Sequence, residues 1–311
     1  MVELEEHRLV VPDGDAGARL DRWAAAALGE SRRKVMAAIE RGHVRVDGRR
    51  ARKGQPVEPG QEIVVRLPRP GEALVPQPEL PLPVVHEDEA VVVVSKPSGM
   101  PTHPLEAGER GTLANALVAR FPECAGAGRD PREGGVAHRL DTPTSGLVVA
   151  ARSREAWEDL RAQFTARTVR KEYLALAAGA IRGRVEVEVP IGADPGNPGR
   201  MRAVPEERLA ERTNAREAHT LVEVVRRFPG WTLMRCTITT GVMHQIRVHL
   251  AHLGSPVAGD DVYGGAAPRG LRRLFLHATR LAFAHPVTGA ALDLRLPLPP
   301  ELDEVLRSLE A

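Results

Sequence analysis

The segment GGVAHRLDTPTSGLVVAAR, residues 134–152, decides how this chain is read. Its second half, GLVVAAR, is a short apolar run bounded by a turn, the pattern of a buried strand. Its first half sets Asp141 between an arginine and a Thr-Ser-Gly turn. A carboxylate there is a turn-former or a reagent, and the residues alone support both. Ser145, His138 and Asp141 have the composition of a hydrolase triad, but no Gly-x-Ser-x-Gly elbow surrounds the serine.

Upstream, VVHEDEAVVVVSKPSGMPTHP reads as a strand, an acidic turn, a buried strand and a Lys-Pro-Ser-Gly turn, followed by a helix around TLANALVARF and a loop over 121–135. Downstream, Ser153 caps a helix that turns Trp157, Leu160 and Phe164 inward. Strands are expected at 169–176, 183–190, 222–225 and 231–240, then a helix over HQIRVHLAH stopped by Gly254. Adjacent strands with interspersed helices and no strict βαβ alternation indicate an α+β fold with a mixed sheet.

The N-terminal part differs in composition. Leu20, Trp23, Ala24, Ala27 and Leu28 form a helical stripe, and Ser31 is placed to cap a second helix that Gly42 ends. HVRVDGRR alternates and turns at Asp47-Gly48, and EIVVRL at 62–67 closes the unit. Residues 31–53 carry nine Lys/Arg against two acidic residues, a local +7, whereas the whole chain has +2, leaving −5 elsewhere. A basic module on a mildly acidic body is the expected layout. Six prolines between 67 and 85 mark a semi-extended connection. The expected domains are 10–67, a linker 68–83, a body 84–300 and a C-terminal tail 301–311.

Two cysteines, Cys124 and Cys236, match no CxxC spacing and suggest neither a disulfide framework nor a thiolate zinc site. The acidic N-terminus has no apolar core of a leader, and no run reaches a membrane span. A soluble cytoplasmic protein is expected.

Polar residues cluster at HRLD (138–141), RKEY (170–173), GVMHQIRVHLAH (241–252) and GDDVYGG (259–265). On a helix His244 and His249 lie about 140° apart and cannot converge on one ion. His249 and His252 could, but neither an HExxH pattern nor a nearby carboxylate completes a ligand set. Arg247 flanks an apolar seam of Ile246, Leu250 and Leu253, and reads either as a structural side chain or as a site residue. Tyr173 in a strand reads equally as core.

HRLDTPTSGLVVAAR, RTVRKEYLAL, GVMHQIRVHLAHLGSPVAGDDVYG and RLFLHATRLAFAHPVTG resemble the successive motifs of the RluA/RluD-type RNA pseudouridine synthases, and KPSGMPTHP matches their upstream turn. RLDRW, SRRKVMAAIERGHVRVDG and PGQEI resemble the alpha-L RNA-binding module first described in a small-subunit ribosomal protein. The resemblance implies a mainly antiparallel mixed sheet with flanking helices and a cofactor-free, metal-free isomerisation of uridine. It implies Asp141 as nucleophile, Arg247 as its partner, and Tyr173 stacking on the base and assisting a late proton transfer. An aspartate is ionised near pH 7 without help from a base. By the same resemblance Arg139 fills the space of the flipped uridine, Leu147 or a neighbour walls the pocket, and His138 and Thr144 contact substrate. Ser31, Arg32, Arg33, Lys34 and Arg45 are expected near an RNA backbone. Ribosomal RNA is the expected substrate and a monomer the expected state; the rivals are a transfer-RNA enzyme and a non-catalytic RNA-binding or ribosome-assembly protein. In one departure, Val242 and Met243 stand where the family usually has Arg and Thr, which bears on substrate choice.

Overall fold

The structure is a computed structural model that describes residues 4–30, 32–68, 74–105, 108–179, 181, 183–197, 199–205 and 214–310. The chain divides into two compact units, residues 1–72 and 73–311.

In the first unit, strand β1 (Leu4–Val10) precedes helices α1 (Leu20–Leu28) and α2 (Arg32–Glu40), then β2 (Val44–Val46), β3 (Arg49–Arg50) and β4 (Glu62–Pro68). The strands form an antiparallel sheet in the order β1-β4-β2-β3. Leu20, Trp23, Ala24, Val35 and Ile39 pack on Val44, Val46, Ile63 and Val65, as the two periodicities require. Ala27 departs from the expected stripe and is exposed. Asp47 and Gly48 both take positive φ, 47° and 75°, the tight turn that Asp-Gly favours. The unit begins before residue 10: β1 is an edge strand whose charged LEEHRLV has a mostly exposed face, so its pattern carried little apolar signal.

The second unit contains β5 (Val84–Glu87), β6 (Val91–Lys96), α3 (Leu113–Arg120), β7 (Ser145–Ala151), α4 (Arg154–Thr165), β8 (Arg170–Ala178), β9 (Arg184–Val187), β10 (Ile191–Ala193) and β11 (Met201–Ala203). It continues with β12 (Thr220–Phe228), β13 (Trp231–Ile238), α5 (Gln245–His252), β14 (Leu276–Ala284), β15 (Ala291–Arg295) and α6 (Pro300–Ser308). One nine-stranded sheet runs β5-β6-β7-β14-β8-β13-β12-β9, with β15 against β14; β10 and β11 form a separate hairpin. Among the described residues only β7 and β14 pair in parallel, Ser145 opposite His277 and Gly146 opposite Ala278. The fold is α+β with a mixed, mainly antiparallel sheet.

Alternation along the strands sorts two layers. Val148 and Ala150 of β7 join Tyr173, Ala175 and Ala177 of β8 in one cluster. Leu147, Val149 and Ala151 point the other way, onto Trp157 and Leu160 of α4.

Two boundaries differ from the sequence reading. The described part of the expected linker packs on this unit: Leu74 is buried, the Asn115 side chain donates to the Val75 carbonyl, and the Gln77 amide donates to the Asn115 carbonyl. The described part of the expected 301–311 tail is no loose end, because α6 buries Leu302, Val305 and Leu306 against Leu176 and Phe275. Proline content and position near the terminus signalled extension; tertiary apolar contact overrides both.

Candidate active site

The Lys-Pro-Ser-Gly turn after β6 clamps the loop that carries Asp141. Gly99 adopts φ 84°, open to glycine at little cost, and its amide donates to the Thr142 carbonyl at 2.8 Å. Ser98 Oγ donates to the Pro143 carbonyl at 2.7 Å and Thr102 Oγ1 to the Leu140 carbonyl at 2.8 Å. Lys96, fully buried, donates from Nζ to the carbonyls of Pro97, Met100 and Thr142 at 2.9, 2.7 and 3.2 Å. Burial pulls its pKa down to about 7, Arg273 pushes the same way, and Asp141 opposes them. The Asp141 loop closes on itself as a turn, the Thr144 amide donating to the Asp141 carbonyl at 3.0 Å. Turn-former and candidate reagent are thus one residue: the backbone makes the turn and the carboxylate takes no part in it.

That carboxylate lines a cavity of about 720 Å³. Arg247, on α5, reaches it from Nη1 to Oδ2 at 3.5 Å. The same guanidinium is held more closely by Asp260, Nε to Oδ2 at 2.7 Å and Nη2 to Oδ1 at 2.8 Å, the two-pronged geometry that fixes an arginine plane. Asp260 Oδ1 also accepts from the amides of Val262 and Tyr263. Burial works against the Arg247 charge, but Asp260 and then Asp141 outweigh it and hold the side chain protonated. Asp260 lies in the GDDVYGG stretch, whose polarity was visible in sequence although its pairing was not.

Tyr173 enters from β8. The buried ring lines the same cavity. Burial, then Asp141, pushes the phenol pKa up. Thr144 lines the cavity too, and its Oγ1 is buried without a partner among the described residues. His138 stacks on Phe164 at 4.8 Å and accepts the Val149 amide on Nε2 at 3.2 Å. Burial, with Lys171 and Arg161 nearby, drops its pKa to about 3, so the ring is neutral. Arg139 is exposed at the cavity and has no partner among the described residues. Lys171 donates to the Thr240 carbonyl at 2.8 Å, and burial lowers its pKa to about 8.

Six of the seven residues expected in the pocket therefore meet there. Leu147 does not. Its strand position turns it onto α4, and Leu140, Ile238 and Leu276 supply the apolar wall instead.

Helix α5 is buried from Gln245 to Leu250 rather than along one seam, so Arg247 and His249 are enclosed instead of flanking it. His249 has both nitrogens engaged: Nε2 donates to the Val189 carbonyl at 2.9 Å and Nδ1 accepts from Thr220 Oγ1 at 2.8 Å. Gln245 accepts from Thr240 Oγ1 and the Val242 amide while donating to the His219 carbonyl and Thr220 Oγ1. Such a satisfied network rigidifies the helix that carries Arg247.

In the first unit, Ser31 lies outside the described residues, as does the Arg33 side chain. Arg32 is not simply free for phosphate: its Nε donates to the fully buried Asp21, which Arg19 also contacts at 3.0 Å. Lys34 pairs with Glu30. Arg45 is exposed and donates to the Gly48 carbonyl at 3.0 Å, and Arg49 and Arg52 are exposed on the same small hairpin region. Among the described residues no helix is long and apolar enough to cross a membrane.

Known proteins match both units. The RNA pseudouridylate synthase family pattern covers residues 90–252 and the S4 domain pattern residues 18–63. The "Uncharacterized RNA pseudouridine synthase" of Chloroflexus aurantiacus is 42% identical, over 100% of this chain and 96% of its own length. The "Ribosomal large subunit pseudouridine synthase D" of Xanthomonas campestris pv. campestris is 36% identical, over 96% and 91%. Among solved structures, human RNA Pseudouridylate Synthase Domain Containing 4 superimposes with a TM-score of 0.59 at 26% identity, covering 73% of this chain and 93% of that one. With its HRLD carboxylate in an open cavity and an RNA-binding module ahead of it, the chain belongs to the RNA pseudouridylate synthase family.

Proposed function

We propose that this enzyme isomerises uridine to pseudouridine in structured large-subunit ribosomal RNA, with Asp141 as the nucleophile. The observation that carries the reading is the Asp141 carboxylate in the cavity, faced by an arginine that Asp260 already orients. Relatives that align over nearly the whole chain and are named for the large ribosomal subunit support the substrate class.

A carboxylate can take the place of a leaving base at the sugar carbon, as in retaining glycoside cleavage. The bond from the sugar to N1 breaks and its electron pair leaves with the uracil. The ring turns, carbon five forms the new bond to the sugar as the bond to Asp141 breaks and returns its electron pair to the carboxylate, the carbon-five proton departs and N1 gains one, so the sum is an isomerisation. Arg247 aims the Asp141 carboxylate in a partly desolvated site. Tyr173 stacks on the base, and its phenol, kept protonated by burial, relays the carbon-five proton as it gives up its own. Arg139, free at the cavity, occupies the place of the extruded nucleotide in the RNA; Thr144 and His138 complete the contacts. The exposed arginines of the S4 domain bind RNA phosphates.

Pseudouridine mapping of total RNA from a strain lacking the protein, against its parent, tests the reading. Loss of one or more sites in large-subunit RNA is expected; an unchanged map there overturns the substrate assignment.

A further inference from the structure

His244 immediately precedes α5 and has a left-handed backbone, φ 59° and ψ 18°. A histidine in that region carries strain that surrounding contacts must hold in place. Those contacts are visible. The Met201 amide donates to the Tyr263 hydroxyl at 3.0 Å, and the same hydroxyl lies 3.0 Å from His244 Nδ1. Having accepted from the amide, the phenol has Nδ1 as acceptor for its own proton, so the imidazole proton sits on Nε2. The Tyr263 ring is in turn fixed by the guanidiniums of Arg200 at 5.3 Å and Arg247 at 5.2 Å. His244 Nε2 has no partner among the described residues, and the side chain lines the same cavity as Asp141.

We propose that His244 contacts the substrate directly, its Nε2–H donating to a carbonyl oxygen of the target uracil, and that Tyr263 is the positioning residue that sets this tautomer. The inference rests on the reading of the cavity as the uridine site. Burial, with Arg247 and Arg139 acting in the same direction and Asp141 against, lowers the His244 pKa and keeps a neutral donor there. A neutral donor suits a carbonyl. Beside Asp141 it lies where the bond to N1 breaks, and one uracil carbonyl is attached next to N1. As that bond breaks the ring gains negative charge, much of it on its carbonyl oxygens, so the hydrogen bond strengthens toward the transition state.

The experiment uses the full-length enzyme and a synthetic stem-loop around a uridine found by the mapping above. The target carries uridine, 2-thiouridine or 4-thiouridine, because sulfur accepts hydrogen bonds poorly. Wild type is expected to lose about 5- to 100-fold in kcat/KM on one of the thio RNAs, the range of a lost buried hydrogen bond. His244→Asn, whose asparagine tolerates the left-handed backbone, should be slowed on uridine and lose that thio discrimination. Tyr263→Phe should lose part of it through the freed tautomer. Full thio sensitivity retained in His244→Asn, or none in wild type, overturns the proposal. Wild type that never modifies the uridine stem-loop would instead indict the functional reading itself. Circular dichroism of each variant separates misfolding from removal of the hydrogen bond, and if His244→Asn fails to fold, Tyr263→Phe decides by the same criterion.

Discussion

The guanidinium of Arg247 is shared unequally: Asp260 grips it at 2.7 and 2.8 Å while Asp141 touches it at 3.5 Å. Asp141 can therefore leave the pair without stranding a buried cation. Asp141→Asn should reduce pseudouridine formation by about 10³-fold or more yet cost no more than about 1 kcal/mol of stability. Tritium release from RNA labelled at carbon five of uridine, with thermal melts and filter binding, measures all three quantities; RNA affinity should hold.

Asp260 carries the opposite burden. Asp260→Asn removes the charge that compensates a buried arginine, and breaking a buried pair costs roughly 3–5 kcal/mol. The melt should fall well below that of Asp141→Asn, with kcat reduced because Arg247 loses its fixed plane. Equal melts for the two variants would contradict the asymmetry.

Gly146 sits where β7 and β14 run parallel, at φ 123°, and a Cβ there would lie 2.3 Å from the Ala278 carbonyl oxygen. Backbone cannot yield as a side-chain tip does. Gly146→Ala should destabilise by more than about 3 kcal/mol, read as loss of soluble protein or a collapsed urea midpoint.

Acid should unfold the protein through neutral buried histidines. Burial lowers His249 and His277 to about 4 and His138 to about 3, against an unfolded value of about 6.5. Between those limits the unfolded chain binds more protons, so stability is present above pH 6.5 and is lost as pH falls through about 4. His249→Gln should flatten the slope of unfolding free energy against pH by at most about 1.4 kcal/mol per unit in that window. Urea midpoints from pH 7 to 4.5 provide the check, and an unchanged slope would refute the assignment.

The exposed arginines of the S4 domain predict a salt effect. Arg45→Gln, Arg49→Gln and Arg52→Gln together should lower RNA affinity and reduce the slope of log affinity against log salt by about 0.7–0.9 for each phosphate no longer neutralised. Turnover at saturating RNA should change little. An unaltered slope would show that phosphates bind elsewhere.

Much of this architecture could be read from local pattern. The helices around Trp23 and Trp157, the Asp47-Gly48 turn and the buried strand after Asp141 follow from spacing and turn chemistry within a dozen residues. What escaped depends on distant approach. The resemblance puts Leu147 or a neighbour at the pocket wall, and strand alternation turns Leu147 to the other face. Asp260 was visible as an acidic residue, but its grip on Arg247 exists only because the 259–265 loop folds back on α5. The α6 helix looked like a tail because nothing near it in sequence reveals the Leu176 and Phe275 surface it covers.

Lys96 brings one further consequence. Its side-chain nitrogen gathers carbonyls from both sides of the gap between residues 100 and 142, leaving the Asp141 carboxylate on a stiff mount rather than on a hinge. With Asp141 as the proposed nucleophile, the attacking group is seated before its target arrives and has no closing movement to make, so deformation falls to the nucleic acid. Stem-loops that open readily around the target uridine should then turn over faster than rigid stems of the same loop sequence.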